Sequence, residues 1–176
     1  LWLDAKNVNG SNNLGLTDES TVKQWLDLSG NQNNGNSDDQ FGTWIGSEPK
    51  IDTVKGIKFD GIDDFYWIVD SPSMKLTNYS IIIVLNPEGS LNEQWKGIIG
   101  KPGRNNNFWL EDSLYIHHRF KNSSSTNSGA DNSPINSLTV NQDNLVQIEH
   151  TGSLARSYVN GMRLVNTNSS AQIPMN

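Results

Sequence analysis

Apolar and polar residues alternate along much of this chain with the period of two that is typical of half-buried β-strands. Ile57 and Phe59 alternate with Gly56, Lys58 and Asp60, and the aromatic and β-branched residues over 65–69 predict a second strand. Asp60 and the glycine after it favour a tight turn, because glycine accepts a positive φ and aspartate bonds its own backbone. The stretch 56–69 is therefore predicted to be a hairpin.

Short strands are predicted along the rest of the chain, at 1–5, 21–28, 78–85, 95–101, 108–110, 114–120 and in four segments after 137. The 78–85 stretch is apolar without a break, which indicates a central strand covered on both faces. The polar stretch 29–36 is predicted to be a long exposed turn. Asn160-Gly161 predicts a type I′ hairpin turn. No window repeats apolar residues at helical spacing, so the class is all-β, a sandwich or a barrel.

Composition narrows the function classes. The 176 residues carry a net charge of −6 and no cysteine, which excludes a disulfide framework and disfavours nucleic acid as a partner. No apolar run approaches the roughly 20 residues of a transmembrane helix, so membrane insertion is not expected. Asparagine and serine are abundant, which suits an exposed or extracellular protein, although compositional bias explains it equally well. The chain begins at Leu1, and we expect it to be a fragment of a longer or processed protein.

Five ordered motifs give the chain a resemblance to a known family. They are Leu1-Trp2-Leu3-Asp4-Ala5, Val22-x-x-Trp25-x-Asp27-x-Ser29-Gly30-Asn31-x-Asn33, Phe59-Asp60-Gly61-x-Asp63-Asp64, Tyr79-Ser80-Ile81 and Tyr158-Val159-Asn160-Gly161. Together they resemble a laminin G-like domain of the concanavalin A-like lectin/glucanase superfamily. The resemblance implies one domain over 1–176, a jelly-roll sandwich of two antiparallel sheets, with Trp2 and Trp25 in or beside the core. Family members continue with another strand after the last motif, so we expect this chain to lack its last strand or to be completed by a partner.

A candidate ligand-binding face follows from the alternation in two neighbouring strands. If 108–110 and 114–120 pair, one outward face carries Trp109, Glu111, Tyr115, His117 and Arg119. Aromatic rings stack on sugars, and the polar groups beside them orient hydroxyls. The alternative is an ordinary sheet surface with cross-strand pairs. Trp44, in a polar loop, either covers the core edge or lines a site, and His118 is predicted to face the core.

Asp60, Asp63 and Asp64 admit two interpretations. Turns recruit aspartate for local hydrogen bonds, and calcium requires six to eight oxygen ligands such as carboxylates. Laminin G-like domains often bind calcium at a sandwich rim, so the resemblance allows calcium here, while no cofactor is required.

Catalysis is not predicted. Asp63-Asp64 and Glu111-Asp112 are adjacent pairs, which on a strand point to opposite faces and cannot flank one glycosidic bond. We therefore expect a non-catalytic carbohydrate-binding or adhesion module on a cell or virion surface, with a glycan or cell-surface polysaccharide and other subunits as partners. The alternatives are a structural domain of a viral or extracellular assembly and, less favoured, a polysaccharide hydrolase or lyase.

Overall fold

The computed structural model describes residues 1–38, 48–76, 78–89, 96–101, 105–110, 114–121, 128–132, 136–151 and 154–168, with the backbone alone at 101, 105–110, 119–121, 128–132, 154–155 and 164–168. Its regular structure is almost entirely antiparallel β-sheet, which confirms the predicted all-β class. The described residues contain one short 3₁₀-helix, Pro72–Met74, and no α-helix. None of their helical structure is long and apolar enough to span a bilayer. Residue contacts group the chain into two units, 1–74 and 75–176.

Five short strands form two small sheets in the 1–74 unit: β1 (Gln24–Trp25), β2 (Gly35–Asn36), β3 (Lys50–Asp52), β4 (Gly56–Lys58) and β5 (Trp67–Ile68). β2 lies between β1 and β5, and β3 pairs with β4. Val8, Val22 and Ile51 are buried in the core of this unit, with Trp25 and Tyr66 packed against them. The predicted place of Trp25 beside the core is thus confirmed.

The predicted hairpin over 56–69 is wrong, because its two strands pair elsewhere. β4 pairs with β3, and β5 pairs with β2. The β3–β4 turn is closed by the Asp52 carboxylate, which accepts hydrogen bonds from the backbone amides of Val54 (2.9 Å) and Lys55 (2.7 Å). The Asp60 carboxylate does form the local hydrogen bonds of a turn. The chain after this turn continues to β5, however, which belongs to the other sheet of the unit.

The first predicted strands are also shorter than expected. No strand forms over 1–5, and of 21–28 only Gln24 and Trp25 are in a strand, with a bridge from Thr21 to Lys50. The backbone amide of Trp2 donates to Asp27 Oδ1 at 2.9 Å, so this amide bonds to a side chain and not to the backbone of a neighbouring strand. The Trp2 side chain is 59% exposed, which contradicts its predicted place in or beside the core.

Eight strands form two four-stranded sheets in the 75–176 unit: β6 (Tyr79–Leu85), β7 (Lys96–Lys101), β8 (Asn105–Leu110), β9 (Ile116–Lys121), β10 (Ser128–Asn132), β11 (Asn144–Thr151), β12 (Leu154–Val159) and β13 (Met162–Asn168). Their orders are β13-β12-β11-β6 and β10-β9-β8-β7. Ile116 of the second sheet is buried in one cluster with Val146, Ile148 and Val159 of the first. The two sheets of this unit therefore share one hydrophobic core.

β6 differs from the central strand that its apolar sequence predicts. It stands last in the described order of its sheet and pairs with β11. Tyr79 is buried, whereas Ile82 and Val84 are 65% and 66% exposed. Successive residues of a strand point to opposite faces, and only one face of this strand lies against the core. The prediction that both faces are covered is wrong.

The β12–β13 hairpin is confirmed in detail. Val159 pairs with Met162, and Asn160 (φ 51°) and Gly161 (φ 79°) both have the positive φ that a type I′ turn requires. The Asn160 side chain also accepts a hydrogen bond from the backbone amide of Leu145 at 2.9 Å, which fastens the turn to β11. Residues 169–176 lie outside the described part, so the predictions of a missing last strand and of one domain over 1–176 stay predictions.

Candidate functional site

The predicted pairing of the strands that carry the candidate ligand-binding face is confirmed. In the β8–β9 ladder, Trp109 lies directly opposite His117, and Asn107 lies opposite Arg119. Ile116 and His118, the neighbours of His117 in β9, are both fully buried. Because adjacent strand residues alternate between faces, the half-buried His117 lies on the face away from the core. We call the positions of Trp109, Tyr115, His117 and Arg119 the β8–β9 face.

Four of the six predicted ligand-binding residues thus have a described backbone position on or beside this face. Tyr115 is half-buried and directly precedes β9. Trp44 and Glu111 lie outside the described residues, as do the side chains of Trp109 and Arg119. The register brings Trp109, His117 and Arg119 together, and their role in ligand binding stays a prediction.

The acidic loop (Asp60, Asp63 and Asp64) is built around the Asp60 carboxylate. Its Oδ1 accepts backbone hydrogen bonds from Ile62 (2.7 Å), Asp63 (3.2 Å) and Asp64 (3.4 Å). The Asp60 amide in turn donates to Asp64 Oδ2 at 2.7 Å. One carboxylate oxygen from each aspartate lies within 4.8 Å of the others, and Asp60 and Asp63 are exposed. These bonds account for the carboxylates of Asp60 and Asp64 as turn chemistry, and calcium binding by the three aspartates stays a prediction.

A buried histidine cluster joins the two sheets of the 75–176 unit. The Tyr79 hydroxyl lies 3.1 Å from Nε2 of His118, and the His150 ring lies 4.9 Å from the Tyr79 ring and 6.1 Å from that of His118. His118 is 0% exposed and His150 is 1% exposed, which confirms the prediction that His118 faces the core.

Burial controls the protonation of this cluster. It lowers the pKa of His118 to about 3, with further lowering from His150 and His117, and it lowers the pKa of His150 to about 4. Burial also raises the pKa of Tyr79. All three groups are therefore uncharged at neutral pH. Because both histidines are almost completely buried, the cluster is a part of the core.

The 1–74 unit contains an amide groove that the sequence did not predict. This groove, with a volume of about 340 Å³, is lined by Val69, Asp70, Ser71 and six amide residues, Gln24, Asn31, Gln32, Asn33, Asn34 and Asn36. None of the described residues that line it is a lysine, an arginine or a histidine. The sequence signal for the groove is the high density of asparagine and glutamine after β1. That density is equally typical of an ordinary polar turn, which is the prediction for residues 29–36. Their partners at 69–71 come from a distant part of the chain.

Asp27 fixes the turn that forms one part of the groove. Its carboxylate accepts backbone hydrogen bonds from Trp2 (2.9 Å), Ser29 (3.0 Å) and Asn33 (3.1 Å), and its own amide donates to Asn34 Oδ1 at 2.9 Å. Burial alone would raise the pKa of Asp27, but these hydrogen bonds outweigh it and hold the pKa well below its usual value. The carboxylate therefore stays charged and keeps the turn in place.

Asn33 connects this turn to the other part of the groove. Its side chain donates to Ser73 Oγ at 3.1 Å and accepts from Ser71 Oγ at 2.6 Å. With these groups paired, Asn33 is buried. The prediction of an exposed turn over 29–36 is therefore wrong at this residue, and it is also wrong at the end of the stretch, where Gly35, which is buried, and Asn36 form β2. In the adjoining sheet, Gln24 Nε2 donates to Asn36 Oδ1 at 2.9 Å across β1 and β2.

Comparison of the chain with protein-family models and with curated proteins finds no significant match. The laminin G-like resemblance therefore stays a prediction that rests on its five motifs.

Proposed function

We propose that this chain is a non-catalytic carbohydrate-binding or adhesion module of an extracellular or virion-surface protein, built on a jelly-roll sandwich. One observation carries the proposal: the register that sets Trp109 directly opposite His117. Two four-stranded antiparallel sheets around one core, in the 75–176 unit, support the sandwich architecture. Calcium at the acidic loop is an optional part of the proposal.

The cross-strand pair is suited to a sugar because of its spacing. Directly opposite residues of an antiparallel pair have Cβ atoms about 4.5–5.5 Å apart. An indole and an imidazole at this spacing suit the apolar face of a sugar ring, on which aromatic rings stack. Arg119 stands two positions beyond His117 on the same strand and face, where a guanidinium supplies further donors.

A glycan array tests the proposal. The chain is expected to bind at least one glycan class, and Trp109→Ala and His117→Ala are each expected to weaken that binding by tenfold or so, as loss of a stacking group does. Trp2→Ala is the matched control, because Trp2 is an exposed tryptophan in the other unit. Absence of binding, or binding that both variants retain, would overturn the proposal. Release of reducing ends or unsaturated sugars in the same samples would instead favour a hydrolase or lyase.

A second candidate function, a structural domain of a larger assembly, is favoured by the exposed face of β6. Ile82 and Val84 are exposed there, and Leu145, the cross-strand partner of Val84, is exposed beside them. Contiguous exposed apolar residues on a sheet are typical of surfaces that pack against another protein. Light scattering after size exclusion tests this function. Assembly that Val84→Thr abolishes would support it, and a monomer at all concentrations would exclude self-assembly.

A further inference from the structure

We propose that the amide groove of the 1–74 unit is a second binding site, specific for a neutral polyhydroxylated ligand such as a short stretch of uncharged polysaccharide. It shares the ligand class of the proposed function but none of its residues. The inference rests on three properties of the groove: its unused hydrogen-bonding groups, its rigid support and its charge.

The groove presents donors and acceptors side by side. Gln24 Nε2 donates a hydrogen bond to Asn36 Oδ1. The other polar atom of the Gln24 side chain, Oε1, makes no hydrogen bond to the described chain. Asn34 uses its Oδ1 on the Asp27 amide, and Asn31 uses its Nδ2 on Ser29 Oγ, so Asn34 Nδ2 and Asn31 Oδ1 are likewise without described partners. A sugar hydroxyl both donates and accepts, so it pairs equally well with either kind of group.

The amides are held in place before any ligand arrives. Asp27 fixes the turn through three backbone hydrogen bonds, and Asn33 ties that turn to Ser71 and Ser73. Two residues of the turn, Gly30 (φ 85°) and Gln32 (φ 58°), have left-handed backbone conformations that these bonds stabilise. A ligand that binds to a rigid surface orders few side chains on binding, so weak hydrogen bonds suffice.

Charge and size define the class of ligand. The described residues that line the groove include no cationic side chain, so phosphates, sulfated glycans and uronates find no positive partner among them and are disfavoured. Val69 is the one aliphatic residue among the described lining residues, and the others carry polar side chains. A volume of about 340 Å³ lies at the lower end of the range of about 300–1,000 Å³ for small-molecule sites, which suits a mono- or disaccharide unit.

Side-chain amide NMR tests the site directly. The ¹⁵N-labelled chain is titrated with glucose, galactose and mannose, with neutral linear trimers of each, and with trigalacturonate as the anionic counterpart. We expect saturable shifts of the Gln24, Asn34 and Asn36 NH₂ signals with at least one neutral trimer, at a Kd of about 1 mM. A free monosaccharide that shifts the same signals as strongly as its trimer identifies a single-unit ligand, and a stronger response to the trimer identifies a polysaccharide.

Four variants make the test decisive. Gln24→Ala and Asn31→Ala, both at exposed side chains, are each expected to weaken binding about fivefold, the usual cost of one uncharged hydrogen bond. Gln142→Ala, an exposed glutamine of the other unit, is the control and is expected to leave the Kd unchanged. No saturable shift with any neutral sugar, an equal response to trigalacturonate, or an unchanged Kd in both groove variants would overturn the site. Groove shifts that persist in Trp109→Ala separate this site from the β8–β9 face, so either one can fail alone.

Discussion

Lowering the pH from 7 to 5.5 is expected to destabilise this protein, because His118 and His150 stay uncharged in the core of the 75–176 unit. Their folded pKa values, about 3 and about 4, lie below the ordinary value of 6.5. As the pH falls below 6.5, the unfolded chain takes up a proton at each imidazole and the folded chain does not. Stability is therefore fully present above pH 6.5 and is lost progressively down to the folded pKa values.

The size of the effect follows from the linkage between protonation and folding. At pH 5.5, about one unit below the unfolded value, each histidine costs about 1.4 kcal/mol, or about 3 kcal/mol for the pair. That is a large share of the roughly 5–15 kcal/mol that stabilises a typical domain. Asp27 contributes to the pH dependence of stability only at lower pH. Its ordinary pKa is 3.8, so the stability that its charge provides is lost only as the pH falls through and below that value.

Urea denaturation at pH 7.0, 6.5, 6.0 and 5.5, followed by circular dichroism, measures this loss. All four values lie above the pI of about 4.9, so the chain keeps a net negative charge. With an m-value of about 1–3 kcal/mol/M, the midpoint is expected to fall by about 1–3 M across the series.

His150→Leu, which removes one titrating group and keeps a similar buried volume, is expected to halve the slope with pH. His117→Gln is the matched control, because His117 is half-buried and faces away from the core, and the greater part of the slope is expected to survive in it. A free energy of unfolding that does not change between pH 7 and 5.5, or a slope that His150→Leu leaves intact, would refute the reasoning.

Three further predictions concern other polar contacts. Tyr79→Phe is expected to lower the free energy of unfolding at pH 7 by about 1–2 kcal/mol, because it removes a buried hydrogen-bond partner of the His118 imidazole. The control is Tyr158→Phe, since the Tyr158 hydroxyl makes only a half-buried 3.4 Å contact with Glu149. It is expected to cost less than about 1 kcal/mol in the same urea series. Asp27→Ala is expected to cost at least about 2 kcal/mol, because three backbone amides lose their acceptor, and Asp18→Ala, which removes one exposed acceptor, is expected to change the urea midpoint little. If the acidic loop binds calcium, millimolar calcium raises the melting temperature relative to a chelator, and identical melting curves would remove calcium from the proposal.

Local signals in the sequence predicted the features whose physical cause is local. Asn160-Gly161 is sufficient for the β12–β13 turn, because two adjacent residues that tolerate positive φ define a type I′ turn by themselves. In β11 the buried residues Val146, Ile148 and His150 alternate with less buried ones, as a strand with one face on a core requires.

Features that depend on distant residues were not predictable from the same signals. The alternation around Ile57 is real, but its partner is Ile51 in β3, and Trp67 of β5 pairs with Asn36 in β2. Nothing local to 56–69 distinguishes these partners from a hairpin. The amide groove has the same origin, because its turn acquires a binding shape only where residues 69–71, from beyond β5, lie beside it.

The position of β6 in its sheet has a consequence for the synthesis of the chain. β6 is an uncharged run of seven residues rich in isoleucine and valine, and its partner β11 is translated only after the whole of 86–143. During that interval the nascent chain exposes a segment of high β-propensity without its described partner β11, a condition under which chains aggregate before they fold. Folding yield, more than the stability of the native state, is then expected to limit production of the protein. A single charge at the exposed position of Ile82 is expected to raise that yield at little cost to the core.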